Sequence, residues 1–193
     1  MWSPHKHYGK SERTEESLVV VTTDAFKRAL ANLAGGVVLV TTLDDQKEAS
    51  GMTATAVCSI SVDPPLVMVC MNHATTTHRA VHASGIFAIN FLAVGAESLA
   101  RRFASNRPDK FQGLETTVAR TGAPIIDMAL AHCDCTVEQA VTAGDHTIFI
   151  GRVLEAHAKP RNDLPLLYFR GDYGSVASIP HDLGRGEKRT SKY

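Results

Sequence analysis

The first half of the chain alternates between stretches with the hydrophobic period of a helix and runs typical of a strand. Phe26, Leu30 and Leu33 recur at helical spacing after residues that can cap a helix, and Gly35 and Gly36 are expected to end that helix. The β-branched run VVLVTT follows directly and predicts a strand. The sequence therefore predicts a helix before the first long strand.

Two β-prone segments come next, separated by a pair of prolines. Residues 43–71 are polar at first and then largely apolar on both sides of Pro64-Pro65, which predicts a hairpin, a strand, a turn and another strand. Residues 75–85 begin with threonines and end at a glycine, as a short capped helix does. We expect a strand at 86–93 and a helix at 96–104.

The second half of the chain is predicted to be mainly strand. Along residues 131–138 every odd-numbered side chain is apolar and every even-numbered one is polar, the alternation of a half-buried antiparallel strand. The polar set, which includes Asp134, is expected to face solvent. A turn containing Gly144 leads to a strand at 147–157, and residues 166–174 add a further strand.

Strands joined by short turns, with a few helices between them, favour a mainly β fold with peripheral helices. This is an antiparallel barrel, in preference to a doubly wound parallel sheet. No Gly-x-Gly-x-x-Gly sequence follows a predicted strand, so the Rossmann fingerprint is absent. We expect one folded domain at residues 22–178, preceded by a flexible extension at 1–21 and followed by a polar tail at 179–193.

Composition narrows the function classes. The 193 residues include 20 Lys+Arg and 20 Asp+Glu, so no electrostatic preference for nucleic acid or an anionic membrane is expected. No apolar run approaches the ~18 residues of a membrane span. The four cysteines lack the spacing of a zinc site, and reduced thiols fit the cytoplasmic location that we expect.

Two histidines on the predicted helix at 75–85 could in principle face one metal ion. His78 and His82 are four residues apart, but no Glu, Asp or His stands at a recognisable spacing as a third ligand. A surface pair of histidines is therefore the favoured interpretation, and no metal is expected.

A run of small and hydroxylated residues surrounds Thr53, Ala54 and Thr55 and continues to Ser59 and Ser61. Small side chains let a flat ligand approach the main-chain amides, and hydroxyls can bond the edge of a heteroaromatic ring. The alternative is an interior strand packed tightly against a helix, since threonine is a good strand former. Composition alone favours that alternative.

Seven blocks of the chain together resemble the flavin reductase family of two-component monooxygenases. They are AGGVVLVTT, GMTATAVCSISVDPPLVMVC, ASGIFAINFL, LARRFA, DKFQG, GDHTIFIGRV and PLLYFRGDYG, within about residues 24–176. The resemblance implies an FMN-binding split β-barrel of the antiparallel, Greek-key type. It also implies NAD(P)H-dependent reduction of FMN or FAD, a homodimer, and delivery of reduced flavin to a separate monooxygenase component.

The resemblance assigns the flavin ring to the small-residue run. It implies that Thr53, Ala54 and Thr55 lie along the isoalloxazine, with Ser59 and Ser61 on the neighbouring strand segment. Pro64 is implied to shape the turn that follows. Most family members have a serine where this chain has Thr55, and a Phe-Thr pair where it has Val57-Cys58.

A second block of the resemblance is a hydroxyl-rich helix start. Hydroxyls and free backbone N–H groups at a helix N-terminus suit a phosphate, so Asn72, Thr75, Thr77 and His78 are assigned to the flavin phosphate. The alternative is an ordinary threonine cap, which needs only one of the threonines. Lys110 and Phe111 resemble a family segment near the flavin.

The remaining site assignments fall on two turns. The family places the turn Gly144-Asp145-His146 beside the nicotinamide, so Gly144 is assigned to the cofactor site and His146 to NAD(P)H positioning or to polarising the reacting pair. Without the resemblance, a turn histidine bonding its own backbone is favoured. Tyr173 is implied to help form the cofactor pocket, the alternative being plain packing.

Hydride transfer between two organic cofactors needs alignment and a dry pocket but no nucleophile or strong base. The sequence accordingly has no nucleophile elbow, no His-Glu-x-x-His and no P-loop. No cluster of basic residues indicates a site for the 2′-phosphate of NADPH, which favours NADH over NADPH. Two alternatives stay open: a split-barrel flavoprotein that retains its flavin without NAD(P)H turnover, and an interaction protein without a ligand.

Overall fold

The computed structural model describes residues 21–160 and 163–177, which fold around one seven-stranded antiparallel sheet. Nearly all of the predicted extension at 1–21 and the whole tail at 179–193 lie outside the described residues. The helices are α1 (Thr23–Leu30), α2 (Thr76–Ser84) and α3 (Glu97–Ala104). The strands are β1 (Gly35–Gly36), β2 (Val38–Leu43), β3 (Ala49–Ala54), β4 (Val57–Val62), β5 (Pro65–Asn72), β6 (Ile86–Phe91), β7 (Thr116–Val118), β8 (Pro124–Ile126), β9 (Ala131–Ala143), β10 (His146–Ala158), β11 (Leu167–Phe169) and β12 (Asp172–Gly174).

The seven-stranded sheet curls into a split barrel. Its order is β3-β2-β6-β9-β10-β5-β4, and its two edge strands are consecutive in the chain, with only Thr55 and Ala56 between them. The chain therefore pairs with β2 along β3 and with β5 along β4. Between these two strands, the N–H of Cys70 in β5 donates to the backbone carbonyl of Ala56 at 3.0 Å. The predicted mainly β, antiparallel split barrel is confirmed.

Strands β9 and β10 form a long hairpin through the middle of the sheet. Each has 13 residues, and the turn between them contains Gly144, whose φ of +62° suits glycine because it lacks a Cβ. Gly151 lies where the register of the hairpin shifts, and a Cβ there would stand 2.3 Å from Cζ of Phe87. Glycine at this position makes room for a fully buried aromatic ring.

Two apolar clusters pack on opposite faces of β2, because successive side chains of a strand point to opposite sides. Val40 belongs to the barrel interior, together with Phe87 and Phe149. Leu39 belongs to a second cluster outside the barrel, where it packs with Phe103 of α3. Helix α3 is thus fixed against the outer face of the barrel, and this position creates one wall of the groove described below.

Helix α1 differs from its prediction. It ends at Leu30 rather than near Gly35, and the Asn32 side chain then donates to the carbonyl of Arg28 at 2.8 Å, which satisfies a carbonyl at the helix end. None of its residues is buried, and Phe26 is 54% exposed. No helix among the described residues is long and apolar enough to cross a membrane.

The alternation predicted for residues 131–138 is right for the cysteines and wrong for Asp134. Cys133 and Cys135 face the barrel interior, but Asp134 is fully buried as well. Its carboxylate accepts hydrogen bonds from the N–H and the hydroxyl of Thr121, at 2.8 and 2.5 Å. The hairpin β7–β8 covers this side of the sheet, and its three-residue strands are too short to predict from periodicity.

Candidate functional site

A groove of about 490 Å³ lies between the end of β3 and helix α3. Thr53, Ala54 and Thr55 form one wall, so the predicted small-residue run does border an open space. Tyr173 of β12 faces it from the other side. The remaining lining residues are Val37, Arg101, Ala104, Ser105 and Tyr168.

The packing of α3 on β3 sets the depth of this groove. A Cβ at Gly51 would lie 2.8 Å from Cε1 of Phe103 and 3.1 Å from the carbonyl oxygen of Val40, so only glycine allows the helix this close. The hydroxyl of Thr53 donates to the carbonyl of Ala100 at 2.6 Å. The strand is therefore packed tightly against a helix, as the alternative interpretation expected, and also borders the groove.

A smaller cavity of about 130 Å³ continues the groove towards the start of α2. Both cavities are lined by Thr53, Ala104 and Ser105, so they lie side by side, and the two together are called the channel from here on. The far end is lined by Thr75, Thr76, Thr77 and Lys110, together with Met52, Phe103 and Asn106. The structure thus brings Thr53, Ala54 and Thr55 of the predicted ring site to one end of the channel, and Thr75 and Thr77 of the predicted phosphate site to the other.

The first turn of α2 is capped but leaves donors free. The hydroxyl of Thr75 accepts from the N–H of His78 at 3.2 Å, as an N-cap does. Within the described part of the chain, the N–H groups of Thr76 and Thr77 have no acceptor. These two amides and the positive end of the helix dipole favour an anion at this end of the channel.

Lys110 supplies a fixed cation at the same end. Its Nζ donates to the carbonyls of Gly51 and Phe103 at 3.0 and 3.1 Å. Burial lowers the pKa of Lys110 below its ordinary value, and no carboxylate in the described residues forms an ion pair with it. Phe111 packs its ring edge-on against Phe103 and lines a neighbouring cavity beside Lys110.

Tyr173 is held at the other end of the channel by two neighbours. The guanidinium of Arg101 lies 4.7 Å from the centre of its ring, a cation–π contact, and Tyr168 meets the ring edge-on. Burial raises the pKa of Tyr173, and the charge of Arg101 opposes that rise. Tyr173 therefore both packs and lines the channel, so the two interpretations of this residue are compatible.

Asn72, Gly144 and His146 lie at a separate corner, where the end of β5 meets the β9–β10 turn. Nδ1 of His146 is 2.8 Å from Oδ1 of Asp145, and Nδ2 of Asn72 donates to Oδ2 of the same carboxylate at 3.3 Å. The hydrogen bond with His146 is the main cause that lowers the pKa of Asp145. His146 thus bonds a neighbouring side chain, and not its own backbone as the alternative held.

Hydrogen bonds connect this corner to the start of α2. The side-chain oxygen of Asn72 accepts from the N–H of Ala74 at 2.8 Å. The backbone carbonyl of Asn72 accepts from the N–H and the hydroxyl of Thr75 at 3.1 and 2.9 Å. The same Thr75 hydroxyl caps α2. The corner with His146 and the anion-binding end of the channel are therefore two sides of one network.

His78 is not the surface residue that its spacing predicted. Its ring packs against Phe149, with centroids 5.4 Å apart, and its Nε2 lies 2.9 Å from the hydroxyl of Thr147. Only the backbone of His78 contributes to the cap of α2. Among the residues that the structure describes, no three His, Cys, Asp or Glu side chains come together as a metal site.

Ser59, Ser61 and Pro64 are not brought to the channel. The two serines lie on β4, beyond the point where the chain leaves β2, and they pair with Val67 and Leu66 of β5. Pro64 follows a cis peptide bond in the turn before β5. None of the three lines either cavity of the channel.

Sequence reasoning missed several residues that line the channel. Arg101, Ala104 and Ser105 come from the end of α3, and Thr76 from the first turn of α2. The LARRFA block carries part of the family resemblance, and Arg101 and Ala104 belong to it. The adjacent arginines of that block and the hydroxyl of Ser105 after it were the available signal.

The fold and the channel define an antiparallel split-barrel protein with an elongated, nucleotide-sized site. A family model described as the flavin reductase like domain matches residues 30–177. The chain belongs to the flavin reductase family, as its resemblance predicted.

Curated relatives agree with this assignment. The chain is 36% identical over 151 residues to the reductase subunit HsaB of a flavin-dependent monooxygenase from Rhodococcus jostii, covering 78% of this chain and 76% of that one. It is 38% identical over 156 residues to a flavin reductase (NADH) from Kitasatospora aureofaciens, covering 80% and 82%.

A solved structure is similar over most of its length. The nitrilotriacetate monooxygenase component B homologue from Mycobacterium thermoresistibile superposes with a TM-score of 0.77 at 34% identity, covering 86% of this chain and 92% of the other. An NADH:FAD oxidoreductase from Streptomyces globisporus, solved with NAD and FAD fragments, gives 0.74 at 32% identity, covering 82% and 94%.

Proposed function

We propose that this protein is an NADH:flavin oxidoreductase that reduces FMN or FAD and supplies the reduced flavin to a separate monooxygenase component. The named activities of its relatives support the reaction, the donor NADH and the kind of partner. FMN reductases that use NADH also occur among the relatives, at 31–34% identity, so both flavins are represented.

The observation that carries this proposal is the single channel from Tyr173 to the start of α2. Its wide part is walled by Thr53, Ala54 and Thr55, which leave room for a flat ring system against the strand. Its narrow part offers free amides and the ammonium of Lys110, a donor set that suits a phosphate. The donors and the shape of the channel fit a flavin mononucleotide.

A bound nicotinamide would supply the hydride and a bound flavin would accept it, so the reactivity would belong to the cofactors. The protein orients and encloses them. The contact of Thr53 with Ala100 keeps α3 against β3 and so maintains the width of the groove. Arg101 and Tyr173 line its mouth, where the guanidinium lies over the tyrosine ring.

His146 is proposed to position the nicotinamide. With Nδ1 occupied by Asp145, the second ring nitrogen of His146 is left for a ligand, and 42% of the side chain is exposed to receive one. Asn72 is proposed to hold this arrangement through the same carboxylate, and Gly144 to allow the turn. A role of Ser59, Ser61 and Pro64 in flavin binding is supported only by the family resemblance.

We propose further that the protein is a homodimer in the cytoplasm. Phe26 and Leu30 of α1 are about half exposed, and Phe169 lies near the end of that helix, where the N–H of Arg170 donates to the carbonyl of Ala31. Exposed apolar side chains gathered in this way favour burial against a second copy. Four free cysteines fit a reducing compartment.

The test is a steady-state assay of nicotinamide absorbance that crosses FMN and FAD with NADH and NADPH. We expect oxidation of NADH that depends on added flavin, with the flavin released on dilution. Absence of flavin-dependent turnover would contradict the proposal. Flavin retained through dilution without turnover would instead support an electron-transfer module that keeps its flavin.

A further inference from the structure

One hydroxyl group lies between two imidazole rings beside the proposed site. Oγ1 of Thr147 is 3.0 Å from Nε2 of His73 and 2.9 Å from Nε2 of His78. Thr147 is the residue directly after His146 on β10, and only 5% of it is exposed. His73 lies in the loop after β5 and His78 lies on α2, so the hydroxyl joins three separate elements.

When both imidazole rings are neutral, the number of protons in this cluster allows only one arrangement of hydrogen-bond donors and acceptors. A hydroxyl has one proton and two lone pairs, and among the described residues the two imidazoles are the only hydrogen-bond partners of the Thr147 hydroxyl, so Thr147 donates to one imidazole and accepts from the other. Nδ1 of His78 is fully buried and has no hydrogen-bond partner among the residues that the structure describes. A buried N–H without an acceptor is rarer and more costly than a buried lone pair. The proton of His78 therefore belongs on Nε2, and that ring donates to Thr147.

The order of the remaining bonds follows. Thr147 donates its proton to Nε2 of His73, which leaves the proton of His73 on Nδ1. The two histidines thus carry opposite tautomers, each set by the hydrogen bond at Nε2. Burial is the main cause that lowers the pKa of His78, and the positive charge that His73, His82 and Arg79 can carry acts in the same direction.

The cluster connects the two halves of the proposed site. The backbone N–H of His78 donates to the Thr75 hydroxyl that caps α2. A hydrogen bond that fixes His78 therefore also fixes the first turn of the helix. On the other side, the N–H of His73 donates to the carbonyl of Asp145 at 3.0 Å, and Asp145 holds His146. Hydrogen bonds therefore connect Thr147 both to the phosphate-binding end of the channel and to the corner that holds His146.

We propose that Thr147 is a positioning residue, whose hydroxyl orders His78, Thr147 and His73 into a directional chain that fixes the first turn of α2 relative to His146. This role in the reaction rests on the proposed flavin reductase function. The hydrogen-bond order itself does not, because it follows from distances and proton counting alone.

The first experiment measures the order directly. Imidazole ¹⁵N chemical shifts of the wild-type protein, recorded without ligand at a pH above the titration of both rings, are expected to show the Nε2–H tautomer for His78 and the Nδ1–H tautomer for His73. In Thr147→Val we expect that the two histidines no longer carry these opposite tautomers. The same tautomer in both histidines of the wild type would overturn the proposal, whether or not the enzyme is active.

The second experiment separates positioning from general damage. FMN and riboflavin differ by the phosphate, so Thr147→Val should weaken FMN affinity about fivefold to tenfold and leave riboflavin affinity unchanged. Thr147→Ser keeps the hydroxyl and should restore FMN affinity. Thr142→Val is the matched control, because Thr142 pairs with Thr147 across the hairpin and is exposed.

Two results of the binding experiment would overturn the proposal: equal loss of FMN and riboflavin affinity in Thr147→Val, or no recovery in Thr147→Ser. If the wild type binds neither flavin, the proposed function fails. The tautomers measured in the first experiment still decide the hydrogen-bond chain in that case.

Discussion

The channel and the His146 corner are built by different physical means. The channel owes its shape to close packing: glycine at position 51 lets Phe103 approach, and α3 then stands at a fixed distance from β3. The corner owes its shape to hydrogen bonds among Asn72, Asp145 and His146, most of them exposed to solvent. Close packing is sensitive to tenths of an ångström, whereas exposed hydrogen bonds exchange with water at small net cost.

This difference predicts how the two regions respond to substitution. Changes at the channel should have large effects, because the interior cannot yield without moving a helix. Changes at the corner should have smaller effects that fall on one substrate. The five predictions that follow run from the packed region to the hydrogen-bonded one.

Gly51→Ala should have the largest effect. The added methyl group would meet Cε1 of the buried Phe103 ring and the backbone of Val40, so α3 must shift. Overpacking of this kind lowers the free energy of unfolding by about 1–3 kcal/mol. Misplacement of the channel wall should lower kcat/KM for the flavin about 100-fold. Thermal unfolding and steady-state kinetics measure the two effects.

Gly36→Ala is the control for that substitution. A Cβ at Gly36 has no heavy atom within 4 Å and its φ is not positive, so a small change in either measurement is expected. Wild-type kinetics in Gly51→Ala would show that α3 can move without cost, and the distinction between the two regions would then be lost.

The strand that walls the packed region was also the part of the site that the residues alone could indicate. The small residues at 53–55 mark a strand that something approaches closely, and this property is local. The corner was different. Asp145 and Asn72 are separated by 73 positions in the chain, and nothing in either segment shows that their side chains meet. His78 looked like a surface residue for the same reason, since Thr147, its partner, lies 69 residues away.

Lys110→Met should have the second largest effect. It removes the only ammonium lining the narrow end of the channel, as far as the described residues extend, so FMN affinity should fall about 30-fold, in the range of one charged hydrogen bond. Riboflavin lacks the phosphate, and its affinity should be unchanged. Fluorescence quenching on flavin binding gives both values, and Lys27→Met on the exposed helix α1 is the matched control.

The pH dependence of FMN binding tests the same lysine. Burial lowers the pKa of Lys110 from its ordinary value of 10.5, so the ammonium is lost at a lower pH than on a surface lysine. FMN affinity should therefore fall as the pH rises through this lowered pKa, and riboflavin affinity should stay constant. An identical alkaline loss in Lys110→Met would show that another group is responsible.

His146→Ala tests the corner. The kcat/KM for NADH should fall about tenfold, the range of one lost hydrogen bond, with flavin affinity unchanged. His157→Ala is the matched control, since His157 lies near the opposite end of the same strand β10. Equal loss for both substrates would contradict the assignment of His146 to the nicotinamide.

Asp145→Asn should have the smallest effect. The amide oxygen of asparagine can still accept from Nδ1 of His146, so the histidine keeps a partner. The charge beside it is lost, and so is the hydrogen bond that Asn72 donates to the other carboxylate oxygen. We expect kcat/KM for NADH to fall about threefold at neutral pH. In the wild type the hydrogen bond with His146 lowers the pKa of Asp145, so the carboxylate stays ionised until the pH falls through that lowered pKa, and its stabilising contribution is lost only there. A loss as large as that of His146→Ala would mean that the charge, and not the orientation of the ring, governs this corner.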